Sequence, residues 1–461
     1  MKKILCFLLA VCMIVPLWAC ENKSGNLWDK KDTLPTSGNW KLGCNVTLKS
    51  AVTVSKDLIL DLNGYKVTRR IPKTDTENQH AITVAEGASL TLKDSGKKGV
   101  MTATFERVPR VTSPAVLILG KENSSIVIES GTYDCSNAES LYTEAFGGAI
   151  VTDGKLTING GKILGYRNYA TSDKTEEEVE DPKELLVPGG GTTIAGWEHS
   201  QIVINGGEFI GGGCKANSGG VIASCGNLTI NGGKFSLDDE LTGGYVVAPN
   251  GGIIYMEKAD ANTLAIHGGT FTGGNVIYNG GVIWTQVPTL ITGGTFNGAQ
   301  AFYGGIIMAD DCELTIDDGD FVGPGGKTHD ESGGLVYSNG AKLTLNGGNF
   351  KGGAAVKFGA NIYYLRAGGE MVIAGDTYIN GGFTIHGTED GPVKLTIKDQ
   401  AVIDNTDAAP KAPWNIRMRN TLLYLGDSTE PSKVAGKDNT DVSLTYDDQG
   451  VVNGFIDGMP K

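Results

Sequence analysis

The sequence predicts an all-β fold: a single-stranded parallel β-helix of about twelve coils with a C-terminal cap. One pattern recurs along the chain, and residues 219–235 (GGVIASCGNLTINGGKF) are a typical copy. Its apolar runs are three to five residues long and alternate with polar residues, which is the period of a strand and not of a helix. Glycines separate the runs, as expected where a chain turns sharply.

The copies align on the apolar residue that closes a Leu-Thr-Ile strand. The aligned residues are Leu60, Leu92, Ile128, Ile158, Ile204, Ile230, Ile266, Ile291, Ile316, Leu345, Ile373 and Ile397. The spacing ranges from 24 residues, between Ile373 and Ile397, to 46, between Ile158 and Ile204. Self-similarity at this period is typical of a solenoid, in which stacked units bury one continuous core.

Each unit is expected to contain three short strands, of the Val-Ile-Ala, Leu-Thr-Ile and Lys-Phe types. In strand two, Leu228 and Ile230 should point inward and Thr229 outward, because successive strand residues face opposite sides. Strand three carries one bulky residue in most units, and we expect these side chains to stack inside the solenoid. They are Ile163, Phe209, Phe235, Phe271, Phe296, Phe321, Phe350 and Tyr378.

The corner between strands two and three is often Asn-Gly-Gly. It stands at 159–161, 205–207, 231–233 and 346–348. Glycine adopts a positive φ without strain, and stacked Asn side chains can hydrogen-bond from coil to coil as a ladder. His267, Thr292 and Asp317 occupy the Asn position in other units. We therefore expect His267 to be a ladder member and not a catalytic base.

The N-terminus predicts export and a lipid anchor. A short basic stretch precedes an apolar run from Ile4 to Pro16, which is too short to span a membrane and is typical of a secretory signal. The Leu-x-Ala-Cys sequence ending at Cys20 resembles the lipobox of bacterial lipoproteins, which implies lipidation of Cys20. An ordinary signal peptide that leaves a free thiol is the alternative. The predicted location is the cell envelope, lipid-anchored, on the outer membrane of a Gram-negative bacterium.

Composition divides the chain into four parts. Residues 1–19 are the predicted signal peptide, and 20–45 are the lipidated Cys and a polar tether. The β-helix is expected over 46–405, with an acidic insertion at 166–199 that accounts for the longest repeat. The repeat then fades, so 406–461 is the predicted C-terminal capping region.

Charge and cysteine usage exclude several partners. The formal net charge is −13, and it becomes −15 once Lys2 and Lys3 are removed with the signal peptide. An acidic chain with scattered basic residues is a poor nucleic-acid binder, so no nucleic-acid partner is expected. Membrane contact is expected through the lipid anchor only.

No cysteines have the spacing of a zinc site. Cys214 and Cys225 either form a disulfide or are small buried apolar residues.

The Leu-Thr-Ile-Asn-Gly-Gly-x-Phe units, with Leu-Asp-Leu-Asn-Gly-Tyr at 60–65, resemble right-handed β-helix proteins of the pectin-lyase-like superfamily. More narrowly, they resemble its Gly-rich bacterial surface lipoproteins. The resemblance covers about residues 46–405 and implies a right-handed coil. It implies no single activity, because this fold hosts lyases, hydrolases, tailspikes and adhesins.

Enzyme motifs of that superfamily are incomplete here. Polygalacturonase-like hydrolases use Asn-Thr-Asp, Asp-Asp, Gly-His-Gly and Arg-Ile-Lys on successive coils. In this chain Asn405-Thr406-Asp407 follows the last clear repeat, Asp310-Asp311 precedes it, and Gly-His-Gly is absent. The motif order therefore argues against this class of enzyme.

Pectate-lyase-like enzymes stack carboxylates on neighbouring coils to bind Ca²⁺ and use Arg or Lys as the base. The acidic coil 310–320 offers the best group: Asp310, Asp311, Asp317, Asp318 and Asp320. On the adjacent coils, however, the residues aligned with Asp317 and Asp320 are Thr292, Asn346, Thr295 and Asn349. A solvated edge is therefore favoured, with no cofactor and no metal; Ca²⁺ is expected only if the protein is a lyase.

Strand one offers a candidate binding surface. Three apolar columns follow the Gly pairs, and they cannot all be inside, because adjacent strand residues face opposite sides. The third column contains Tyr255, Trp284 and Tyr337. If this column faces outward and is bare, its rings form a platform for sugars or a partner protein. Alternatively it is covered, by the insertion Tyr166–His199 or by the C-terminal region.

Two functions are therefore considered. The favoured one is a non-catalytic, adhesin-like lipoprotein that binds polysaccharide or a surface protein. Its ligand-binding candidates are Tyr255, Trp284 and Tyr337. The alternative is a polysaccharide lyase or glycoside hydrolase with a site near coil 310–320. Its catalytic candidates are Asp310, Asp311, Asp317 and Asp320.

Replacing Cys20 with Ala is expected to release the protein from the membrane fraction, because the acyl chains lose their attachment site. Cell fractionation and intact-mass measurement test this. A Cys20→Ala variant that stays in the membrane fraction, with no loss of lipid mass, would contradict the lipoprotein assignment.

Overall fold

A computed structural model describes most of the chain, and every described element is a β-strand. The described residues are 26–72, 80–105, 115–136, 139–140, 148–165, 167–168, 193–211, 219–237, 248–274, 276–298, 301–323, 332–353, 361–388, 391–404, 416–435, 440–446 and 452–457. None of these residues belongs to a helix that could cross a membrane. The strands stack into long parallel ladders, so the predicted parallel β-helix is confirmed.

The second strands of the coils form one parallel ladder, which we call ladder two. Its members are β2 (Gly38–Leu42), β5 (Leu58–Asp61), β8 (Ser89–Lys93), β11 (Ser125–Ile128), β15 (Lys155–Ile158), β19 (Gln201–Ile204), β22 (Asn227–Ile230), β26 (Leu264–Ile266), β30 (Thr289–Asn297), β32 (Leu314–Val322), β34 (Lys342–Leu345), β37 (Glu370–Ile373), β40 (Val393–Ile397) and β43 (Thr421–Leu425). β1 (Asn26–Trp28) extends its N-terminal edge.

The third strands form ladder three. Its members are β3 (Val46–Leu48), β6 (Lys66–Ile71), β9 (Val100–Phe105), β12 (Thr132–Asp134), β16 (Lys162–Leu164), β20 (Glu208–Gly211), β23 (Lys234–Leu237), β27 (Thr270–Thr272), β35 (Asn349–Lys351), β38 (Tyr378–Asn380) and β41 (Val402–Asp404). β30 and β32 run through the corner and contribute to both ladders, which joins them into one 27-stranded sheet.

The first strands form ladder one, in a separate sheet. Its parallel members are β4 (Val52–Val54), β7 (Ile82–Val84), β10 (Ala115–Gly120), β14 (Gly148–Thr152), β18 (Ile194–Gly196), β21 (Ile222–Ser224), β25 (Ile254–Met256), β29 (Ile283–Thr285), β31 (Ile307–Ala309), β33 (Val336–Ser338), β36 (Ile362–Leu365), β39 (Phe383–His386) and β42 (Ile416–Arg419). Two short pairs lie apart: β13 (Glu139–Ser140) with β17 (Arg167–Asn168), and β24 (Ala248–Asn250) with β28 (Val276–Asn279).

The predicted alignment of the repeats is confirmed residue by residue. All twelve aligned residues of strand two are register partners of their neighbours along ladder two. None of them is more than 2% exposed. Leu228 and Ile230 are buried as expected, and Thr229 between them lies on the outer face. One apolar column thus runs along the inside of the whole ladder.

The solenoid begins earlier than the predicted residue 46. Trp40 of β2 pairs with Leu60, so part of the expected tether is a strand of ladder two. Trp28 packs edge to face on Trp40, with ring centroids 5.0 Å apart. The predicted insertion 166–199 likewise includes a regular strand, because β18 belongs to ladder one.

The parallel ladders also end later than residue 405. β42 and β43 pair in parallel with β39 and β40, so parallel pairing continues to Leu425. The direction then reverses: β44 (Lys433–Ala435), β45 (Thr440–Tyr446) and β46 (Val452–Asp457) pair antiparallel at this end. Occupying the edge in this way protects it from pairing with another chain.

Six phenylalanines stack along the inside of ladder three. Adjacent ring centroids are 4.6–4.8 Å apart, and adjacent planes lie within 6° of parallel. The predicted next member, Tyr378, is wrong, because Tyr378 pairs with Asn349 and the inward residue is Ile379. Six positions separate Ile373 from Ile379, against five between Leu345 and Phe350. The extra corner residue shifts the register by one.

The predicted Asn ladder is present at the corner between ladders two and three. Asn231 Nδ2 donates to Asn205 Oδ1 at 2.7 Å, and Asn205 donates likewise to the Asn of the coil before it. His267 Nδ1 lies 2.8 Å from Thr292 Oγ1, so His267 is a ladder member. The second glycine of the corner has a positive φ, 117° at Gly233, as the sharp turn requires.

Phe296→Ala is expected to lower the free energy of unfolding by about 3–5 kcal/mol, because it leaves a cavity in the ring stack. Leu290→Ala is the matched control, since Leu290 lies on the same strand and is 36% exposed. Chemical denaturation of both variants measures the difference. Equal losses would contradict an inward-facing phenylalanine column.

Candidate functional site

The aromatic residues of strand one lie on the outer face of ladder one. Tyr255 pairs with Trp284, Trp284 with Met308, and Met308 with Tyr337. The Tyr255 and Trp284 rings are stacked, with centroids 4.4 Å apart. The column therefore faces outward, but it is not bare: Trp284 is 7% exposed, Tyr337 is 8% exposed, and Tyr255 is half-buried.

Part of the cover comes from Tyr303, which precedes a Gly pair, and from Leu365 at the end of β36. The Tyr303 ring lies 4.9 Å from that of Tyr337, and Leu365 packs against the same cluster. Backbone bridges to Asn279 and Ser332, on the coils before and after, hold Tyr303 in place. Most of the insertion 166–199 and much of the C-terminal region lie outside the described residues. Trp197 of the insertion packs against Val151 farther along the outer face of ladder one, while the described cover of the Trp284 cluster comes from neither predicted place.

The aromatic column ends at a buried histidine. The Tyr363 hydroxyl lies 3.1 Å from His386 Nδ1, and the two rings meet edge to face. Burial, reinforced by Arg419 and Arg417, lowers the pKa of His386 from 6.5 to about 4. The imidazole is therefore uncharged at neutral pH.

The first two columns of strand one both face the core, which corrects the expected strict alternation. Ile253 and Ile254 are both buried in the central core. Their amides donate to the same carbonyl, that of Val282, at 3.0 and 2.8 Å. Ile253 lies in the corner just before β25 begins at Ile254, so alternation starts only at the second column.

The predicted acidic group is divided between two corners. Asp310 and Asp311 follow β31, at the corner between ladders one and two. Asp317, Asp318 and Asp320 lie past the ladder-two part of β32, at the corner between ladders two and three. The five carboxylates therefore do not form one cluster.

Asp310 and Asp311 tie neighbouring coils together. Asp310 accepts hydrogen bonds from Asn339 Nδ2 at 3.0 Å and from Gln286 Nε2 at 3.1 Å. Arg366 pairs with Asp311 at 2.6 Å. These contacts join side chains of several successive coils, so both aspartates have a structural role at this corner.

The other corner borders a surface groove of about 370 Å³. Its lining comes from four successive coils: Gly294, Thr295, Asp318, Gly319, Asp320, Gly348, Asn349, Asp376 and Tyr378. Thr295 and Asn349 pair with Asp320, as the alignment predicts. Tyr378 is half-buried and donates its hydroxyl to Asp404 at 3.1 Å. We call this feature the acidic groove.

The acidic groove is rich in hydrogen-bond acceptors. Asp318, Asp320 and Asp376 are exposed, and no lining residue is Lys, Arg or His. Asn349 Nδ2 lies 3.4 Å from Asp320 Oδ1, while the buried Asn349 Oδ1 finds no donor among the described residues. The groove is therefore suited to ligands that donate hydrogen bonds.

The sequence reasoning missed Asp376 and Tyr378 as groove residues. Both follow from the extra residue in this corner, where Ala-Gly-Asp-Thr replaces Asn-Gly-Gly. Counting the positions to the next inward residue, Ile379, reveals the longer corner and places Asp376 on its outside. The signal was therefore present, as a spacing and not as a motif.

Several predicted features lie outside the described residues: Cys20, Asn405-Thr406-Asp407 and Cys214. Cys225 is a free thiol whose Sγ lies 3.6 Å from the Gly196 carbonyl oxygen. Burial raises its pKa to about 11, so this thiol stays protonated at neutral pH.

Comparison with known proteins assigns no function to these corners. No family model, curated protein or solved structure matches the chain. What the corners bind has to be inferred from their own residues.

Trp284→Ala is expected to lower the free energy of unfolding by about 3–5 kcal/mol, because the ring is buried in the outer cluster. Ile59→Ala is the control, since Ile59 is 37% exposed on the outer face of ladder two. Thermal or chemical denaturation of both variants provides the comparison. An unchanged unfolding midpoint for Trp284→Ala would favour a bare binding platform instead.

Proposed function

We propose that the protein is a non-catalytic, lipid-anchored protein of the cell envelope that binds polysaccharide along the side of its β-helix. The acidic groove carries the proposal, because four successive coils line it. Coils repeat at about 4.8 Å, so the groove runs for about 14 Å along the solenoid. That shape suits an extended chain better than a single small ring. On this proposal the protein is a surface member of the pectin-lyase-like superfamily, with its right-handed coil.

The lining chemistry supports a hydroxyl-rich ligand. Carboxylates of Asp318, Asp320 and Asp376 accept hydrogen bonds from sugar hydroxyls, and hydrogen bonds to ionised groups are the stronger kind. The half-buried ring of Tyr378 supplies an apolar surface at one end.

Charge narrows the class of polysaccharide. Three carboxylates without a cationic lining residue repel uronic acids and favour a neutral or amino-sugar polymer. The net charge of −13 acts in the same direction. The lyase alternative needs an acidic substrate and a basic residue near it, and the groove lining offers no such residue.

The aromatic column is not our choice for the ligand site. Ring stacking against a sugar needs an accessible ring face, and Trp284 and Tyr337 are nearly buried. Only Tyr255 is partly accessible. We assign the column a packing role on the outer face of ladder one.

A glycoside hydrolase is the second candidate, because three carboxylates share one groove and such enzymes use a pair of them. Incubation with neutral and acidic polysaccharides, with and without Ca²⁺, separates the two functions. New chain ends that appear only with the intact groove would replace the binding proposal by a catalytic one.

Asp320→Asn is expected to weaken binding to a neutral or amino-sugar oligosaccharide about tenfold or more, since a hydrogen bond to a charged group contributes about 1.5–3 kcal/mol. Asp311→Asn is the matched control: the same change on the same coil, at the other corner. A glycan array identifies the ligand, and titration calorimetry measures both variants. Equal affinities for the two variants would rule out the acidic groove as the site.

A further inference from the structure

Three potential metal ligands from three consecutive coils converge at the corner between ladders one and two. They are Glu122, Asp153 and His199, and one ligand atom from each lies within 4.8 Å of the other two. Each residue follows a different strand of ladder one, namely β10, β14 and β18. These coils precede those of the acidic groove, so this site is independent of the proposed function.

The lengths of three turns build this arrangement. In the first and third of these coils, the turn from ladder one to ladder two has four residues, 121–124 and 197–200. In the middle coil it has only two, Asp153 and Gly154. The turns are stacked directly: Asp153 N donates to the Gly120 carbonyl at 3.0 Å. The longer turns therefore project on both sides of the short one, and their side chains reach over Asp153.

Backbone contacts fix the central carboxylate and the imidazole. The His199 amide donates to Asp153 Oδ1 at 3.0 Å, and His199 Nδ1 lies 3.3 Å from the same oxygen. A Cβ on Gly154 would clash with the Ser124 carbonyl oxygen, so the short turn is held tightly against the preceding one. The hydrogen bond to Asp153, reinforced by the charges of Asp153, Glu122 and Glu198, raises the pKa of His199. Negative charge thus surrounds the imidazole from several coils.

We propose that Glu122, Asp153 and His199 form a binding site for a divalent transition-metal ion. An imidazole nitrogen with two carboxylates suits Zn²⁺ or a related ion better than Ca²⁺ or Mg²⁺, which prefer oxygen alone. Three protein ligands leave further positions of the ion to water. An ion there would cross-link three coils at a corner where exposed acidic side chains otherwise repel one another.

The test is titration of the full chain with ZnCl₂, with CaCl₂ as a second titrant. We expect one equivalent of Zn²⁺ to bind with higher affinity than Ca²⁺. His199→Ala should weaken Zn²⁺ binding about tenfold or more, since mutating even the residues that only hydrogen-bond to metal ligands lowers metal affinity by about 10–100-fold. His267→Ala is the matched control, because His267 is exposed in the Asn ladder at another corner. Unfolding midpoints without metal show that both variants are folded.

Titration with Co²⁺ separates this site from binding at cysteines. Nitrogen and oxygen ligands give weak visible absorption only, whereas a thiolate ligand adds intense near-ultraviolet charge-transfer bands. We expect no thiolate bands, in keeping with the protonated Cys225 thiol. No Zn²⁺ binding, equal Zn²⁺ affinity in His199→Ala and the unaltered chain, or thiolate bands in the Co²⁺ spectrum would each overturn the proposal.

Discussion

In-register parallel pairing between coils is the interaction on which the rest of the structure depends. Each residue meets the equivalent residue of the next coil at about 4.8 Å, so a side chain is favoured when it packs or bonds well with a copy of itself. The phenylalanine column shows this with near-parallel rings 4.6–4.8 Å apart. The Asn ladder shows it with hydrogen bonds of 2.7 Å. Repetition in the sequence is therefore a direct result of repetition in space.

The same constraint explains why strand one looked like a binding surface. Its strands are apolar at consecutive positions, which is typical of strands buried on both faces. The inner face joins the central core, while the outer face forms its own layers: Leu119, Val151 and Ala195 with Trp197 at one end, and the cluster around Trp284 at the other. A run without alternation was thus a sign of cover on both sides. The aromatic rings give ladder one a second core, outside the coil.

Fold and register were predictable because both depend on periodic features: strand length, alternation and glycine corners. The predictions failed where periodicity is interrupted. One extra corner residue places Ile379, and not Tyr378, at the inward position of ladder three. Asp311 and Asp317 are close in sequence, but the ladder-two part of β32 lies between them and places them at different corners. The start at β1 was missed because its flanks have the polar composition of a tether. The longer corner was visible only as a spacing of six positions between Ile373 and Ile379, and no motif marked any of these details.

The interruptions are also where specific chemistry can arise. Within a ladder, a change at one position must fit the equivalent residues of the coils before and after it, so packing restricts most columns. A corner whose length differs from that of its neighbours has no equivalent residue to match at every position. The longer Ala-Gly-Asp-Thr corner brings Asp376 to a groove with Asp318 and Asp320. At another corner, the alternation of long and short turns brings Glu122, Asp153 and His199 together. In both places polar and charged residues from successive coils meet at corners of unequal length. Function in this chain is therefore to be sought at the corners whose length departs from the repeat.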